Sequence, residues 1–300
     1  MNSDIYTQVT NLIISQLENG VAPWRSPYLA SAGLPRNFSS GNCYQGVNVF
    51  LLSLAGYSSP YFLTFLQAKE LGGHVKKGEH GHLVIKCGTW TKDKENAASD
   101  EDPTEKRRFL KGYTVFNASQ IEGISFPEII HPERSATEVI ESAEAILRGM
   151  PCPPSITEGT TSIPSYNKHT DSIAMPARAA FRSDAEFFGA LYHEAVHSTG
   201  HESRLSRRTL IENKGFHATG EARKTYSEEE LVAEMGAAFL SAQAGITFDE
   251  HENSAAYLKS WLTVLKVSDH KGWVIRAASE AQKAANYILG AAPASSEATA

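Results

Sequence analysis

The run His193-Glu194-Ala195-Val196-His197 sets two imidazoles four residues apart, with a carboxylate directly after the first. On a helix, residues at i and i+4 share a face, so both rings project the same way. Two imidazoles so placed can hold one tetrahedral zinc, and Glu194 beside them can take a proton from a bound water. A hydrolytic zinc site also needs a third protein ligand and one open position. Residues 226–240, YSEEELVAEMGAAFL, lie one helix and loop downstream. There Leu231, Met235, Ala238 and Ala242 form a core stripe, bordered by Glu230 and Glu234 one turn apart. Carboxylates at the margin of a core are costly unless paired or metal-bound.

A ligand Glu followed four residues later by an acid resembles the second helix of the gluzincin metallopeptidases. That resemblance implies Glu230 as the third ligand and Glu234 as the acid that orients a histidine ring from behind. A register shift of one residue puts Glu229 in the place of Glu230. The expected metal is zinc, or another divalent ion. His201 follows the helix end, where a cation is favourable, and reads as structural. Tyr226 has two readings, a hydroxyl for a developing oxyanion or a packing ring.

These groups need elements to hold them. A helix over Asp184–Thr199 is expected, capped by Ser183 or Asp184 and ended by Gly200. A second long helix is expected over Ser227–Ala244, with further helices at Glu138–Leu147, Ala255–Val267 and Gly272–Leu289. Ser172–Met175 reads as a strand-like edge. The segment Tyr166–Pro176 resembles the zincin edge strand that pairs with an extended substrate, and equally reads as a plain sheet edge.

The first half reads differently. Helical spacing predicts Ser3–Glu18, with Gly20 as a stop, and helices near Asn48–Leu54 and Thr64–Leu71. Leu83–Trp90 and Tyr113–Phe116 read as strands. Residues 92–108, KDKENAASDEDPTEKRR, have no period and read as a mobile charged loop. Trp24, Tyr28, Phe38 and Tyr44 interleave with Arg25, Arg36, Asn37 and Asn48. Rings for bases and cations for phosphates suit single-stranded nucleic acid. Lys76 and Lys77 form a turn that can present amines to phosphate, and Lys106, Arg107, Arg108 and Lys111 add a third basic cluster. The plainer alternatives are packing aromatics and a solvated hairpin.

The chain has 300 residues, 41% hydrophobic, with a net charge of −6. It contains no run of about 18 apolar residues, so no membrane span is expected, and the polar, acidic N-terminus is unlike a signal peptide. The expected compartment is the cytoplasm. Cys43, Cys87 and Cys152 lack metal-like spacing and read as reduced thiols. The expected fold class is α+β: a mixed α/β domain expected to bind nucleic acid over 1–125, a linker and first helix over 126–150, a domain resembling the zincin metallopeptidases over 151–290, and a tail expected to fray over 291–300.

PWRSPY, PRNFSSGNCYQGVN, LGGHVKKGEHG, YTVFNASQ, HEAVHSTGHESRL and EELVAEMGAAFL, in that order, resemble the ArdC antirestriction proteins of conjugative plasmids. Similar N-terminal regions occur in plasmid TraC-type primases. The resemblance runs from Ile5 to about Leu289. It implies a domain for single-stranded DNA, a zincin-like peptidase domain with a protein substrate, and protection of incoming plasmid DNA from host restriction. The alternative is a non-catalytic protein, with a structural or vestigial metal site, that shields DNA or blocks a restriction enzyme by contact. The intact Glu194 favours preserved chemistry, because a purely structural zinc needs no base.

Overall fold

The computed structural model describes residues 4–25, 33–93, 104–128, 134–214, 219–247, 255–267 and 272–291. Tyr28, the middle of the charged 92–108 segment and all but the first residue of the 291–300 tail lie outside them.

The chain opens with helix α1 (Ile5–Glu18), whose Val9, Ile13 and Leu17 are buried, and a 3-10 turn at Pro23–Arg25. Strand β1 (Arg36–Asn37) and helix α2 (Val47–Ser53) follow. Strand β2 (Tyr61–Thr64) leads into α3 (Phe65–Glu70) through a capping box, in which Thr64 and Gln67 satisfy each other's backbone N–H groups. After β3 (His74–Val75) come β4 (His82–Asp93), β5 (Thr104–Asn117) and β6 (Ile121–Glu122).

The main sheet of the described residues runs β1-β2-β5-β4, with β4 at its edge. The β4–β5 pairing continues out to Asp93↔Thr104. The charged segment expected as loop over 92–108 is therefore strand at both its ends. Backbone pairing along a hairpin does not require an apolar face, so side-chain composition misjudged it.

The second half begins with α4 (Ala136–Arg148), capped by Ser135 and Glu138. Strands β7 (Ser155–Glu158), β8 (Ser165–Asn167) and β9 (Ser172–Met175) form a small sheet in the order β7-β9-β8. Ser172–Met175 is thus the central strand, a correction to the expected edge. It gains a neighbour on each side because the chain reverses between β8 and β9 while β7 pairs parallel to β9. Helix α5 (Asp184–Thr199), the short α6 (Arg208–Ile211), the long α7 (Gly220–Ala244), α8 (Ala255–Leu265) and α9 (Trp273–Ile288) complete the chain.

The two halves share one core. Val9, Trp24, Phe50 and Ile85 from the first half belong to the same buried cluster as Tyr192, Met235, Trp261 and Ala281. Phe50 and Phe239 stack with centroids 4.9 Å apart, worth about 0.5–1.5 kcal/mol beyond their buried area. The expected boundary near 125–150 therefore separates stretches of sequence without interrupting the packing.

Candidate metal centre

Helix α5 starts where the Ser183 hydroxyl accepts the Glu186 N–H at 3.2 Å. Phe187, Phe188, Leu191, Tyr192, Ala195 and Val196 bury one side of it. That burial fixes its rotation, and His193 and His197 then face α7. The approach of the two helices is close: a Cβ added at Gly236 would fall 2.7 Å from the Val196 side chain. Only glycine lets α7 lie that near, which brings its carboxylates within reach of the imidazoles.

The His193 and His197 Nε2 atoms lie 3.1 Å apart. The Glu230 carboxylate is 3.4 Å from the first and 3.6 Å from the second. Among the described residues these three form a group whose ligand atoms all lie within 4.8 Å of one another, the donor set of two imidazoles and a carboxylate that suits a divalent ion. Burial opposes charge on His193. The hydrogen bond to Glu230 and the charges of Glu234, Glu194 and Glu230 outweigh it and raise this imidazolium to about 9. Burial likewise opposes charge on Glu230, but the positive field of His197 and the contact with His193 hold its carboxyl below the usual value.

Glu229 is fully buried and 2.9 Å from His197 Nδ1. Arg207 grips the same carboxylate through Nε at 2.9 Å and Nη2 at 2.6 Å, and the Thr209 hydroxyl donates to it. Burial would raise its pKa, yet the Arg207 guanidinium overrides this and holds it down to about 2. Arg207 also donates to the Val196 carbonyl and the Thr199 hydroxyl, which locks it to α5. The carboxylate behind the His197 ring is therefore Glu229. This corrects the expectation for Glu234, which instead accepts the Tyr257 hydroxyl at 2.9 Å. The reason is geometric: Glu229 points to the α5–α6 side, where Arg207 waits, while Glu234 points into the cleft.

That cleft encloses about 310 Å³. Its wall includes His193, Glu194, Glu186, Arg182, Glu234 and, from the first half of the chain, Trp24 and Arg25. Trp24 is 1% exposed and donates its indole N–H to the Tyr257 hydroxyl at 2.7 Å. Arg25 lies over the Tyr257 ring at 4.1 Å and 3.8 Å from Glu234. The two residues expected to lead DNA contact are thus part of the metal cleft. Trp24 has no ring face left for a base.

Several other residues expected to contact DNA are buried or hydrogen-bonded within the protein. Asn48 is buried and clamps the edge strand, donating to the Ile85 carbonyl and accepting its N–H, both at 2.8 Å. It replaces the strand that β4 lacks on that side. Asn37 is buried and donates to Gln67 at 3.0 Å, and Tyr44 is 6% exposed. Lys77 is exposed. Lys76 is half-buried and donates to the Ser119 carbonyl, and half-buried Arg36 carries a buried Nε without a hydrogen-bond partner among the described residues. The Glu229–Arg207 pair had no motif to reveal it, only an arginine 22 residues before an acid. Tyr226 is half-buried in α7.

Comparison with known proteins agrees with this architecture. Residues 3–116 match the N-terminal domain of the anti-restriction factor ArdC, and residues 141–280 match a zincin-like metallopeptidase domain. The chain is 33% identical over 296 residues to the uncharacterized protein y4eC of Sinorhizobium fredii, covering 95% of this chain and 92% of that one. It is 31% identical to a DNA primase TraC of Escherichia coli, but spans only 27% of that protein's length. Crystal structures of the antirestriction protein ArdC from plasmid R388, one metal-free and one Mn(II)-bound, superpose with a TM-score of 0.72 at 38% identity. The overlap covers 95% of this chain and 97% of the metal-free ArdC chain. Among the described residues no helix is long and apolar enough to cross a membrane. The chain belongs to the ArdC family of antirestriction proteins, with the family's N-terminal domain followed by a zincin-like domain.

Proposed function

We propose that this protein protects incoming plasmid DNA from restriction by pairing a zinc-dependent, peptidase-type site with a surface for single-stranded DNA. The observation that carries the metal reading is the convergence of His193, His197 and Glu230 around one point. These three residues would hold zinc or another divalent ion, as a relative's Mn(II)-bound structure supports. A divalent ion there supplies Lewis acidity toward a water or a carbonyl oxygen. The protein's own groups do the rest. Glu229 receives the Nδ1–H of His197, which leaves its Nε2 lone pair facing the cleft. Glu194, 8% exposed on the cavity wall, takes the proton of the attacking water and passes it to the leaving amine. The wall of Trp24 and Arg25 limits water entry and sets the charge met by a substrate. Lys77 is exposed, where phosphate can reach it, and the similarity to TraC primases supports a nucleic-acid partner.

The test is plasmid transfer into a restricting recipient with Glu194→Gln in place of the parent protein. Loss of protection with the bound metal retained supports a hydrolytic mechanism. Protection equal to the parent would instead establish the non-catalytic reading, in which the protein shields DNA by contact. Elemental analysis of Glu230→Ala should find most of the zinc gone, and parental metal content in that variant removes Glu230 from the ligand set.

A further inference from the structure

One face of the β4–β5 hairpin carries a feature that the metal cleft does not use. The register pairs Val84 with Tyr113, Lys86 with Lys111, and Gly88 with Phe109. Alternate residues share a face, so these six lie on one side, stepping ~7 Å per pair. The Lys111 ammonium sits 5.1 Å from the centre of the Tyr113 ring. Phe109 is 37% exposed and its ring lies against Gly88, where a Cβ would approach it to 2.5 Å. Glycine here is the seat for an aromatic ring. The opposite face of the hairpin packs Leu83 and Leu110 against the core. On the aromatic–basic face Val84 and half-buried Tyr113 rest on a second apolar cluster, Lys86 is half-buried, and Lys111 and Phe109 are exposed.

At the Tyr113 end this face opens into a cavity of about 450 Å³, a size ordinary for a small-ligand site. Its rim is α3, where Phe65 is 55% and Leu66 68% exposed. The capping box of Thr64 and Gln67 holds that first turn rigid, so both apolar side chains are presented on a fixed frame. Lys86 and Glu70 also line the cavity. Its floor is Val84, Val115 and Tyr44, and the Asn37 and Asn48 amides behind it are already hydrogen-bonded within the protein. A flat, apolar group fits such a floor better than a sugar or a phosphate, which needs free donors.

We propose that this face is the binding track for single-stranded DNA, with one nucleobase seated in the cavity against Phe65 and Tyr113. Phe109 offers the next stacking surface, and Lys86 and Lys111, lying between the two aromatics, meet phosphates. Rings alternating with ammonium groups are what an unpaired strand requires, whereas a duplex hides its base faces. The carboxylate of Glu70 at the rim keeps phosphate out of the cavity and can accept a base amino group. The inference rests on the single-stranded DNA reading above and moves it away from Trp24, Arg25 and Asn48 to a face of which the sequence reading had picked out only Lys111.

Fluorescence anisotropy of a labelled oligodeoxynucleotide with the full-length protein, across a salt series, tests it. Phe65→Ala is an exposed change and should leave the melting curve intact. It should weaken binding on the order of tenfold with an unchanged salt slope. The Lys86→Ala/Lys111→Ala pair should flatten the slope of log K against log salt by about 1.4. An abasic oligomer should bind the parent and Phe65→Ala equally, since the lost contact is to a base. If the parent binds and both variants match it in affinity and slope, this face is not the track. If the parent binds no single strand at all, the DNA reading falls and takes this site with it.

Discussion

The metal cleft and the outer face of the N-terminal sheet use polar residues in opposite ways. In the cleft, each buried polar chain ends on an atom aimed at open space: Arg207 holds Glu229, Glu229 holds His197, and His197 presents Nε2 beside His193 and Glu230. In the sheet, the buried amides end on protein: Asn48 on the Ile85 backbone, Asn117 on the Ser59 carbonyl, and Asn37 on Gln67. The lesson is that a polar residue in a suggestive run is informative only when its hydrogen-bonding capacity is unspent. The exposed Lys111 ammonium has that capacity, and so do the imidazole Nε2 atoms that face the cleft.

The largest effect expected from breaking this contrast lies in the cleft. Glu194→Gln keeps the shape and removes the base, so peptide hydrolysis should fall by about 10²–10⁴-fold. Metal content and DNA affinity should stay at parental values. A parallel loss of DNA affinity would show that the two regions are not separable as argued. Next in size is the buried pair behind the ligand. Arg207→Met leaves the Glu229 carboxylate buried without its cation, which should cost about 3–5 kcal/mol in denaturant unfolding. The combined Arg207→Met/Glu229→Gln variant should recover part of that loss, because no lone charge remains. A double variant no more stable than the single would show that the pair contributes no charge complementarity.

In the sheet the corresponding change is smaller. Asn48→Ala strips both backbone partners from Ile85 at the edge of β4 and should destabilise the protein by roughly 2 kcal/mol. Metal stoichiometry should be unaffected. Amide exchange at Ile85 should accelerate first, and protection equal to the parent would mean that another group takes over the edge.

How far the sequence revealed all this follows the same contrast. HEAVH announced itself because its spacing matches the helical repeat, and the 184–199 helix formed with its stated ends. Glu229 and Glu230 are adjacent acids that the sequence could not tell apart, and geometry separates them: Glu230 lies beside both Nε2 atoms, while Glu229 lies between Arg207 and Nδ1 of His197. Glu234 was misassigned because the four-residue spacing says which face a side chain leaves from, not which neighbour it meets. Tyr257 lies 23 residues further on and no pattern links the two. The N-terminal aromatics misled for a related reason. Trp24 follows a proline in a loop-like run, a composition equally fit for binding or burial, and its partners Tyr257 and Trp261 come from the far end of the chain. The charged ends of the hairpin were invisible because ladder hydrogen bonds are made by backbone, whatever the side chains.

The smallest expected effect concerns the ties of the three-stranded sheet to the metal helix. Arg204 binds Asp171 through two nitrogens and also donates to the Ser198 carbonyl at the end of α5. Asp171 sits in the turn between β8 and β9 with a φ of 48°, a conformation that aspartate tolerates better than most residues. This clamp keeps the β8 edge beside the cleft, where Pro164 forms part of the wall. The hydrogen bond from Arg204 holds the Asp171 carboxyl below its ordinary value. A group depressed in the folded state stabilises the protein above its unfolded value, near 3.9 for Asp, and loses that contribution as pH falls through the lower folded value. Asp171 is partly exposed, so solvent screening limits the contribution to about 1 kcal/mol or less. Asp171→Asn should therefore melt slightly below the parent from neutral pH down to about 4. The difference should shrink as the solution is acidified further. A gap that persists unchanged into strong acid would mean that the turn geometry of Asp171, rather than its charge, holds the sheet to the helix.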